Sequence, residues 1–213
     1  SDSSVCTINA AGTITSLSQG STTISATLGS IVGSSALTIA APILQSIAVS
    51  ATQSSLALGL SQTYQAIGTY SDGSTTDLTN SVTWASSDSS VCTINAAGTI
   101  TSLSQGSTTI SATLGSVVGS SALTIAAPLL VSISINPLNS SLSIGLTQQY
   151  TAIGTYTDGT NSDITANVTW STSQPILATI NNSGLLSGLS LGLVSITAEL
   201  NGISATTNLS LSL

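Results

Sequence analysis

Few side chains in this sequence could do chemistry, and the carboxylates are the first to consider. Asp72 and Asp77 stand in the stretch YSDGSTTD, and Asp158 and Asp163 stand in the matching stretch YTDGTNSD. Such pairs could hold Ca²⁺, which takes several oxygen ligands. They could also be turn residues whose carboxylates accept hydrogen bonds from nearby backbone N–H groups. Two carboxylates are few for a metal, and no sugar cleft for glycosidase chemistry is implied, so we predict turns and keep the four residues as the calcium candidates.

The two cysteines, Cys6 and Cys92, both stand in the stretch VCTIN. A catalytic thiol needs a base to activate it, and the chain has no His. Equivalent positions in successive domains lie about one domain length apart, so a disulfide within one chain is not expected. We predict reduced, buried thiols with a structural role, and a bond between neighbouring chains is the alternative.

Composition excludes several classes of function. The 213 residues include seven acidic side chains and no Lys, Arg or His, which gives a net charge of −7. Binding of nucleic acid or of an anionic membrane surface relies on basic residues, so neither partner is expected. Most general bases and phosphate clamps are also missing, so we predict no enzymatic activity and no cofactor. No apolar run approaches about 20 residues, so membrane insertion is not expected either.

The elements that carry these residues recur along the chain. An offset of 86 aligns residues 1–42 with residues 87–128, and the two stretches differ only at Ile31 and Val117. The remaining residues align more loosely at the same offset. The sequence therefore divides into three parts: the closing half of a repeat at 1–42, a complete repeat at 43–128 and a second complete repeat at 129–213.

Each repeat has the pattern of β-strands. Runs such as QSIAVSA, QTYQAIGTY, SVTWAS, GTITSL, STTISATL and VVGSSALTIA are rich in Val, Ile, Thr and Tyr, and Gly, Asn, Asp and Ser separate them. This spacing is typical of an all-β sandwich or barrel, and no stretch has a convincing helical period. Asp72-Gly73 and Asp158-Gly159 mark hairpin turns.

The stretch SLALGLSQTYQAIGTYSDGSTTDLTNSVTWASSDSSVCTINAAGTITSLSQGSTTISATLG resembles the bacterial immunoglobulin-like domain of group 2, and the third part matches the same motifs from Tyr150 onward. The chain departs from the family pattern in having Cys6 and Cys92 where Ala is usual, and in lacking basic residues. The resemblance implies tandem Greek-key β-sandwiches arranged as a rod. It also implies that Trp84 and Trp170 are structural core residues, with stacking on a sugar ring as the alternative.

Two functions remain open at this stage. The first is a structural segment of an extracellular bacterial rod or fibre, such as an adhesin stalk on the cell surface, which associates with copies of the same repeat and could polymerise into a filament. The short joints TIAAPILQSIAV and TIAAPLLVSISI favour it, because each contains a Pro and no flexible linker. The alternative is a binding module for surface glycans or a host protein.

The closing half at 1–42 raises a separate expectation. Its apolar residues need partners to leave water, because burying such a side chain is worth about 1.5–3 kcal/mol. These residues include Val5, Ile8, Ile14, Leu17, Ile24, Leu28, Leu37 and Ile39. We expect other polypeptide to complete the half repeat: a preceding part of a longer array, which is favoured, or a strand from a neighbouring molecule.

Overall fold

The structure is a computed structural model that describes residues 2–213, and over these residues it is built from β-strands, turns and loops alone. Ser1 lies outside the described residues. We refer to residues 2–42 as segment 1, to residues 43–128 as unit 2 and to residues 129–213 as unit 3. The prediction of an all-β chain is confirmed. Among the described residues no helix is long and apolar enough to cross a bilayer.

Unit 2 contains two facing sheets and a short ribbon. Its strands are β5 (Leu44–Ser50), β6 (Ser55–Ala57), β7 (Gln65–Tyr70), β8 (Thr75–Asp77), β9 (Thr83–Ser86), β10 (Cys92–Ile94), β11 (Ile100–Ser102), β12 (Gly106–Leu114) and β13 (Val117–Ala126). One sheet has the order β6-β13-β12-β9, the other has the order β5-β7-β8, and β10 pairs with β11 in the ribbon. Strand β6 runs parallel to β13, and the other pairs are antiparallel.

Unit 3 repeats this arrangement with one additional strand. Its strands are β14 (Leu130–Asn136), β15 (Ser140–Ser143), β16 (Thr147–Gln149), β17 (Thr151–Tyr156), β18 (Asn161–Asp163), β19 (Thr169–Thr172), β20 (Ala178–Ile180), β21 (Leu185–Gly188), β22 (Gly192–Leu200) and β23 (Ile203–Ser212). The sheets have the orders β15-β23-β22-β19, β14-β17-β18 and β16-β21-β20.

Alternation along the long strands builds a separate core in each unit. In β12, Thr108, Ile110 and Ala112 point inward and are buried, whereas Thr109, between the first two, faces out. This is the two-residue period of a half-buried strand. The inward side chains of unit 2 form one hydrophobic cluster and those of unit 3 form another.

Segment 1 contains two antiparallel pairs. Strands β1 (Cys6–Ile8) and β2 (Ile14–Ser16) pair with each other, and so do β3 (Gly20–Leu28) and β4 (Ile31–Ile39). These are the counterparts of β10, β11, β12 and β13. Segment 1 thus has the closing strands of a sandwich and no counterparts of β5–β9 among the described residues.

Two short strands of unit 2 lie where the sequence pattern did not indicate them. Strand β8 lies within the stretch interpreted as a turn, because the chain folds back after Asp72-Gly73 and pairs Thr75–Asp77 with β7. Gly73 has a φ of +81°, which the tight turn requires and which glycine adopts without strain. Strand β6 is only three residues long, too short to show alternation.

Candidate functional site

The first carboxylate of each Asp pair is part of its hairpin turn. Asp72 Oδ1 accepts hydrogen bonds from Ser74 Oγ at 2.6 Å and from Ser74 N at 2.9 Å. Asp158 Oδ1 accepts the same two bonds from Thr160, at 2.7 and 3.0 Å. These donors, the side chain foremost, lower the pKa of both carboxyl groups below its ordinary value.

The second carboxylate of each pair binds the backbone two residues further on. Asp77 Oδ1 accepts from Thr79 N at 2.8 Å, and its Oδ2 accepts from Gln65 Nε2 at 3.0 Å. Asp163 Oδ1 accepts from Thr165 N at 2.9 Å. Hydrogen bonds from Thr79 and Thr165 lower the pKa of these carboxyl groups. No group of three potential metal ligands occurs among residues 2–213, and the geometry of the four Asp residues is that of turns.

Both tryptophans lie in the cores. Trp84 is buried against Tyr64, with ring centroids 6.3 Å apart, and its Nε1 donates to Thr79 O at 2.9 Å. Trp170 is buried in the same way and donates to Thr165 O at 2.9 Å. The Asp that binds Thr79 or Thr165 therefore also holds the loop that receives the indole. Neither ring is exposed to stack on a sugar.

Both thiols are free and buried. Strict alternation along VCTIN would place Val91 and Cys92 on opposite faces of one strand, but strand β10 begins at Cys92. Val91 precedes the strand in a turn, and both side chains are buried. Cys92 Sγ lies 3.6 Å from Ser86 Oγ. The chain has no His that could activate either thiol, and both thiols are buried as structural side chains are.

The two core tyrosines differ in how their hydroxyl groups are satisfied. Tyr150 Oη lies 2.6 Å from Ser140 Oγ. Tyr64 Oη is buried and has no hydrogen-bond partner among the described residues. Burial raises the pKa of both phenols.

The joint between units 2 and 3 is the site at which one sandwich contacts the next. Thr157 lies in the turn after β17, and its Oγ1 donates to Leu58 O of unit 2 at 2.6 Å. The same Oγ1 accepts from Leu129 N at 3.0 Å, and Thr157 N donates back to Leu129 O at 2.9 Å. One hydroxyl group thus links both sandwiches and the connection between them.

A glycine makes this close approach possible. A Cβ atom on Gly59 would lie 2.1 Å from Thr157 O, far inside van der Waals contact. Gly59 also has a φ of +90°, a conformation that disfavours other residues. Its N–H donates to Ser102 Oγ at 3.0 Å, and that Oγ donates to Leu60 O at 3.0 Å. The Leu58–Leu60 turn is therefore held from both sides.

The start of unit 2 has the same arrangement on one side only. Ile43 N donates to Ser71 Oγ at 3.0 Å, and Ser71 N donates to Ile43 O at 2.8 Å, as Leu129 and Thr157 do in unit 3. Beyond Ser71 there is an open cavity of about 460 Å³. Its lining residues are Ser16, Leu17, Ser18, Gln19, Ile39, Ala40, Ala41, Pro42, Ile43, Ser71 and Asp72.

Hydroxyl groups line the outer faces of the long hairpins. Thr197 and Thr206 stand opposite each other on β22 and β23, with their Oγ1 atoms 3.2 Å apart. Ser107 and Thr124 form the corresponding kind of pair on β12 and β13, at 3.3 Å. These outer faces are polar and almost uncharged.

The sequence interpretation missed the joint residues Leu58, Gly59 and Thr157. A usable signal exists, because LGL at 58–60 recurs as IGL at 144–146. A glycine kept between two aliphatic residues after a strand indicates a turn with a close backbone neighbour. What the turn contacts could not be read from the sequence, because the neighbour lies 99 residues away.

Two stretches of the chain match a known family. Residues 43–125 and 131–207 each match the family described as "Bacterial Ig-like domain (group 2)". The two matched stretches lie within units 2 and 3.

Two curated proteins are similar in sequence. The chain is 41% identical over 210 residues to "Ice-binding protein 1" of Shewanella frigidimarina, covering 96% of this chain and 24% of that protein. It is 34% identical over 122 residues to an uncharacterized protein of Clostridium acetobutylicum, covering 56% of this chain and 12% of that protein. The chain thus spans a quarter or less of the length of these relatives.

Solved structures with a similar arrangement include surface proteins. The S-layer protein rSbsC(31–844) matches with a TM-score of 0.43 and 15% identity, over 97% of this chain and 37% of that one. Invasin, described as a bacterial integrin-binding protein, matches with a TM-score of 0.41 and 14% identity, over 92% and 46%. The family match indicates that the chain is extracellular or on the cell surface.

Proposed function

Because the chain belongs to the bacterial immunoglobulin-like domain (group 2) family, we propose that it is a structural segment of an extracellular rod or fibre, in which tandem sandwiches act as a stalk. It performs no catalysis in this role. The observation that carries the proposal is the hydrogen-bonded joint at Thr157, since a spacer is useful only if its joints resist bending.

The chain between the units adds to this stiffness. Strand β13 ends at Ala126 and strand β14 begins at Leu130, so three residues connect them, and one is Pro128. Proline restricts φ and makes a connection stiffer than Gly/Ser-rich linkers. A short connection and a contact between the sandwiches together favour one preferred angle at the joint.

The surface suits an extended structure that packs beside copies of itself. Only seven of the 213 side chains are charged and all are acidic, so long-range repulsion between copies is weak. Association with copies of the same repeat, up to a filament, is the extension of this proposal.

A matched pair of glycine substitutions tests the joint. Gly59→Ala forces the new methyl group against Thr157 O, whereas Gly145→Ala alters the equivalent turn of unit 3, where nothing lies within 4 Å. Both glycines have positive φ, +90° and +80°, so the local strain is alike. We expect Gly59→Ala to broaden the distribution of distances between spin labels on units 2 and 3, and Gly145→Ala to leave it unchanged.

The spin-label experiment has a clear negative result. If the wild-type chain already shows a broad distribution that Gly59→Ala does not alter, the joint is flexible and the rod proposal fails. Labels belong on exposed outer-face positions such as Thr109 and Thr206, which take no part in either core.

The second candidate is a binding module, and the hydroxyl-lined outer faces favour it. Such faces could contact a hydroxylated surface, either a glycan or ice, and the Shewanella relative is named an ice-binding protein. Partition of the chain into a slowly growing ice front, or retention on immobilised glycans, would support this role. Thr197→Val with Thr206→Val should then abolish retention, and exclusion of the wild-type chain from both would leave the spacer role alone.

A further inference from the structure

Segment 1 exposes residues that its near-identical counterpart in unit 2 buries. Ile14 is 40% exposed, whereas its counterpart Ile100 is fully buried. Leu28 is 84% exposed, whereas Leu114 is half-buried. Because the two sequences differ only at Ile31 and Val117, the difference comes from the neighbours. In unit 2 the inner face is covered by the strands of residues 43–86, which we call the opening half.

A pair of equivalent glycines shows where the opening half contacts the closing strands. A Cβ atom on Gly119 would lie 2.2 Å from Ile47 O of strand β5. A Cβ atom on the equivalent Gly33 would meet nothing within 4 Å. Gly33 therefore keeps a position where backbone can approach closely, on a face that no described residue covers.

The outer edges of strands β3 and β4 in segment 1 also lack the partners that their counterparts have in unit 2. In unit 2 strand β13 pairs in parallel with β6, and strand β12 pairs with β9. Among the described residues, β3 and β4 pair only with each other. Each therefore presents an edge of backbone groups that can add a strand.

The cavity beside Ser71 provides the polar part of the same surface. At the joint of units 2 and 3, the Leu58–Leu60 turn bonds to three groups: Ala126 O, Ser102 Oγ and Thr157 Oγ1. Their counterparts at the first joint are Ala40 O, Ser16 Oγ and Ser71 Oγ, and all three residues line the cavity. The Ser71 hydroxyl accepts a bond from Ile43 N and donates to no acceptor among the described residues.

We propose that segment 1 and Ser71 together form a binding site for the opening half of an immunoglobulin-like repeat, that is, for a polypeptide with the strand pattern of residues 43–86. The partner's first strand lies over Gly33, its short strands pair with the edges of β4 and β3, and its Leu-Gly-Leu turn enters the cavity. The binding site is separate from the spacing role, because a chain with flexible joints could still bind such a partner.

The direct test adds a polypeptide of residues 43–86 to the full 213-residue chain. One partner should bind per chain, since the equivalent surface of unit 2 is already covered. Binding should slow amide hydrogen exchange in residues 20–39 until it matches that of residues 106–125, as followed by mass spectrometry on peptides that contain Ile31 or Val117, the one position at which the two stretches differ. Residues 43–86 contain neither stretch, so the partner does not interfere. Exchange in residues 20–39 that does not change at a saturating partner concentration would overturn the proposal.

Gly33→Ala is the decisive variant of the chain. Its methyl group points into open space in the free chain but would collide with the partner's first strand, as Gly119 implies. We expect at least a tenfold loss of affinity with no change in the unfolding of units 2 and 3. Ser34→Ala, on the outward face of the same strand, is the control and should bind as the wild type does. Equal affinity of both variants would contradict the proposed docking.

The partner offers a second matched pair. Gly59→Ala in the partner places a methyl group against Ser71, whereas Gly73→Ala changes a glycine of similar φ in open space. The first should bind at least tenfold more weakly than the second. Ser71→Ala in the chain should weaken binding about twofold to tenfold, the usual worth of one hydrogen bond. Equal binding of the two partners would show that the turn does not enter the cavity.

A fused chain provides a second test that does not depend on the solubility of the separate partner. Residues 43–86 placed directly ahead of residue 1 reproduce the natural order, because Ser86 is followed by Ser87 in unit 2 and Ser87 corresponds to Ser1. This chain should show one more cooperative unfolding unit than the 213-residue chain, and Gly33→Ala should remove it. A fused chain without the additional unit, with the β3–β4 hairpin still exchanging its amide hydrogens rapidly, would overturn the inference.

Discussion

Units 2 and 3 share a fold but fill one region of the core with different chemistry. In unit 2 the buried Thr108 Oγ1 lies 2.9 Å from Ser86 Oγ and 3.1 Å from Ser87 Oγ, and it accepts from Asp88 N at 3.0 Å. In unit 3 the equivalent position is Val194, which is buried in the hydrophobic cluster of that unit. The fold therefore tolerates either a satisfied polar cluster or an apolar contact here, provided that each is complete.

The largest expected effect tests whether the two cores respond alike despite this difference. Trp170→Ala should destabilise unit 3 by about 3–5 kcal/mol, because it leaves a large cavity, and Trp84→Ala should do the same to unit 2. Urea-dependent hydrogen exchange, read by mass spectrometry on peptides of the substituted unit, would measure the loss, because the remaining Trp reports on the other unit. A loss below about 1 kcal/mol in either unit would show that its Trp does not support the core.

The polar cluster of unit 2 predicts the next effect in size. Thr108→Val removes the acceptor of Asp88 N and one hydrogen-bond partner of each of two serine hydroxyl groups, so it should cost about 1–3 kcal/mol although it resembles the natural valine of unit 3. Thr109→Val, one residue along on the outer face, is the control and should change the unfolding free energy by less than about 0.5 kcal/mol. If Thr108→Val were neutral, the polar cluster would contribute no more to the unfolding free energy than the apolar contact of unit 3 does.

The hydroxyl groups of the two core tyrosines predict a smaller difference in unfolding free energy: a loss of stability in unit 3, and no loss or a gain in unit 2. Tyr150→Phe breaks the bond to Ser140 and should cost about 1 kcal/mol. Tyr64→Phe removes a buried hydroxyl that has no partner among the described residues, so it should be neutral or stabilising. Chemical unfolding of both variants would decide, and equal losses would show that Tyr64 Oη is hydrogen-bonded in solution.

The smallest expected difference between units 2 and 3 is in their stability at low pH. Asp72, Asp77 and Asp88 of unit 2 have a lowered pKa in the folded state, as do Asp158 and Asp163 of unit 3, where Gln174 replaces the third Asp. A carboxyl group whose pKa is lowered by folding stabilises the folded state at pH values above its unfolded pKa of about 3.9. This stabilisation is lost as the pH falls through the folded pKa. Unit 2 should therefore lose more stability than unit 3 below about pH 4.

Asp88→Gln gives unit 2 the residue that unit 3 has at this position. Unfolding of the two units at pH 5 and at pH 3, with and without this substitution, isolates the contribution of the third Asp. Identical acid sensitivity of the two units in the wild-type chain would contradict the expectation.

The strands and the cores of units 2 and 3 were largely predictable, because alternation over long runs such as STTISATL indicates which face of a strand turns inward. The Asp-Gly turns were also readable, since both residues have local reasons to be there. What the sequence did not reveal is contact over long distances. The pairing of Thr157 with Leu58 and the partner of each tyrosine hydroxyl depend on how sandwiches and strands meet. Three-residue strands such as β6 are too short to carry a pattern.

The parallel pairs at the edges of the large sheets have a mechanical consequence. In unit 2 strand β6 runs parallel to β13, and in unit 3 β15 runs parallel to β23. When the chain is pulled from both ends, the early strand is drawn one way and the last strand the other, so the backbone hydrogen bonds between them are loaded together in shear rather than peeled apart singly. The parallel register covers three residue pairs in unit 2 and four in unit 3. Under tension, unit 3 should therefore outlast unit 2.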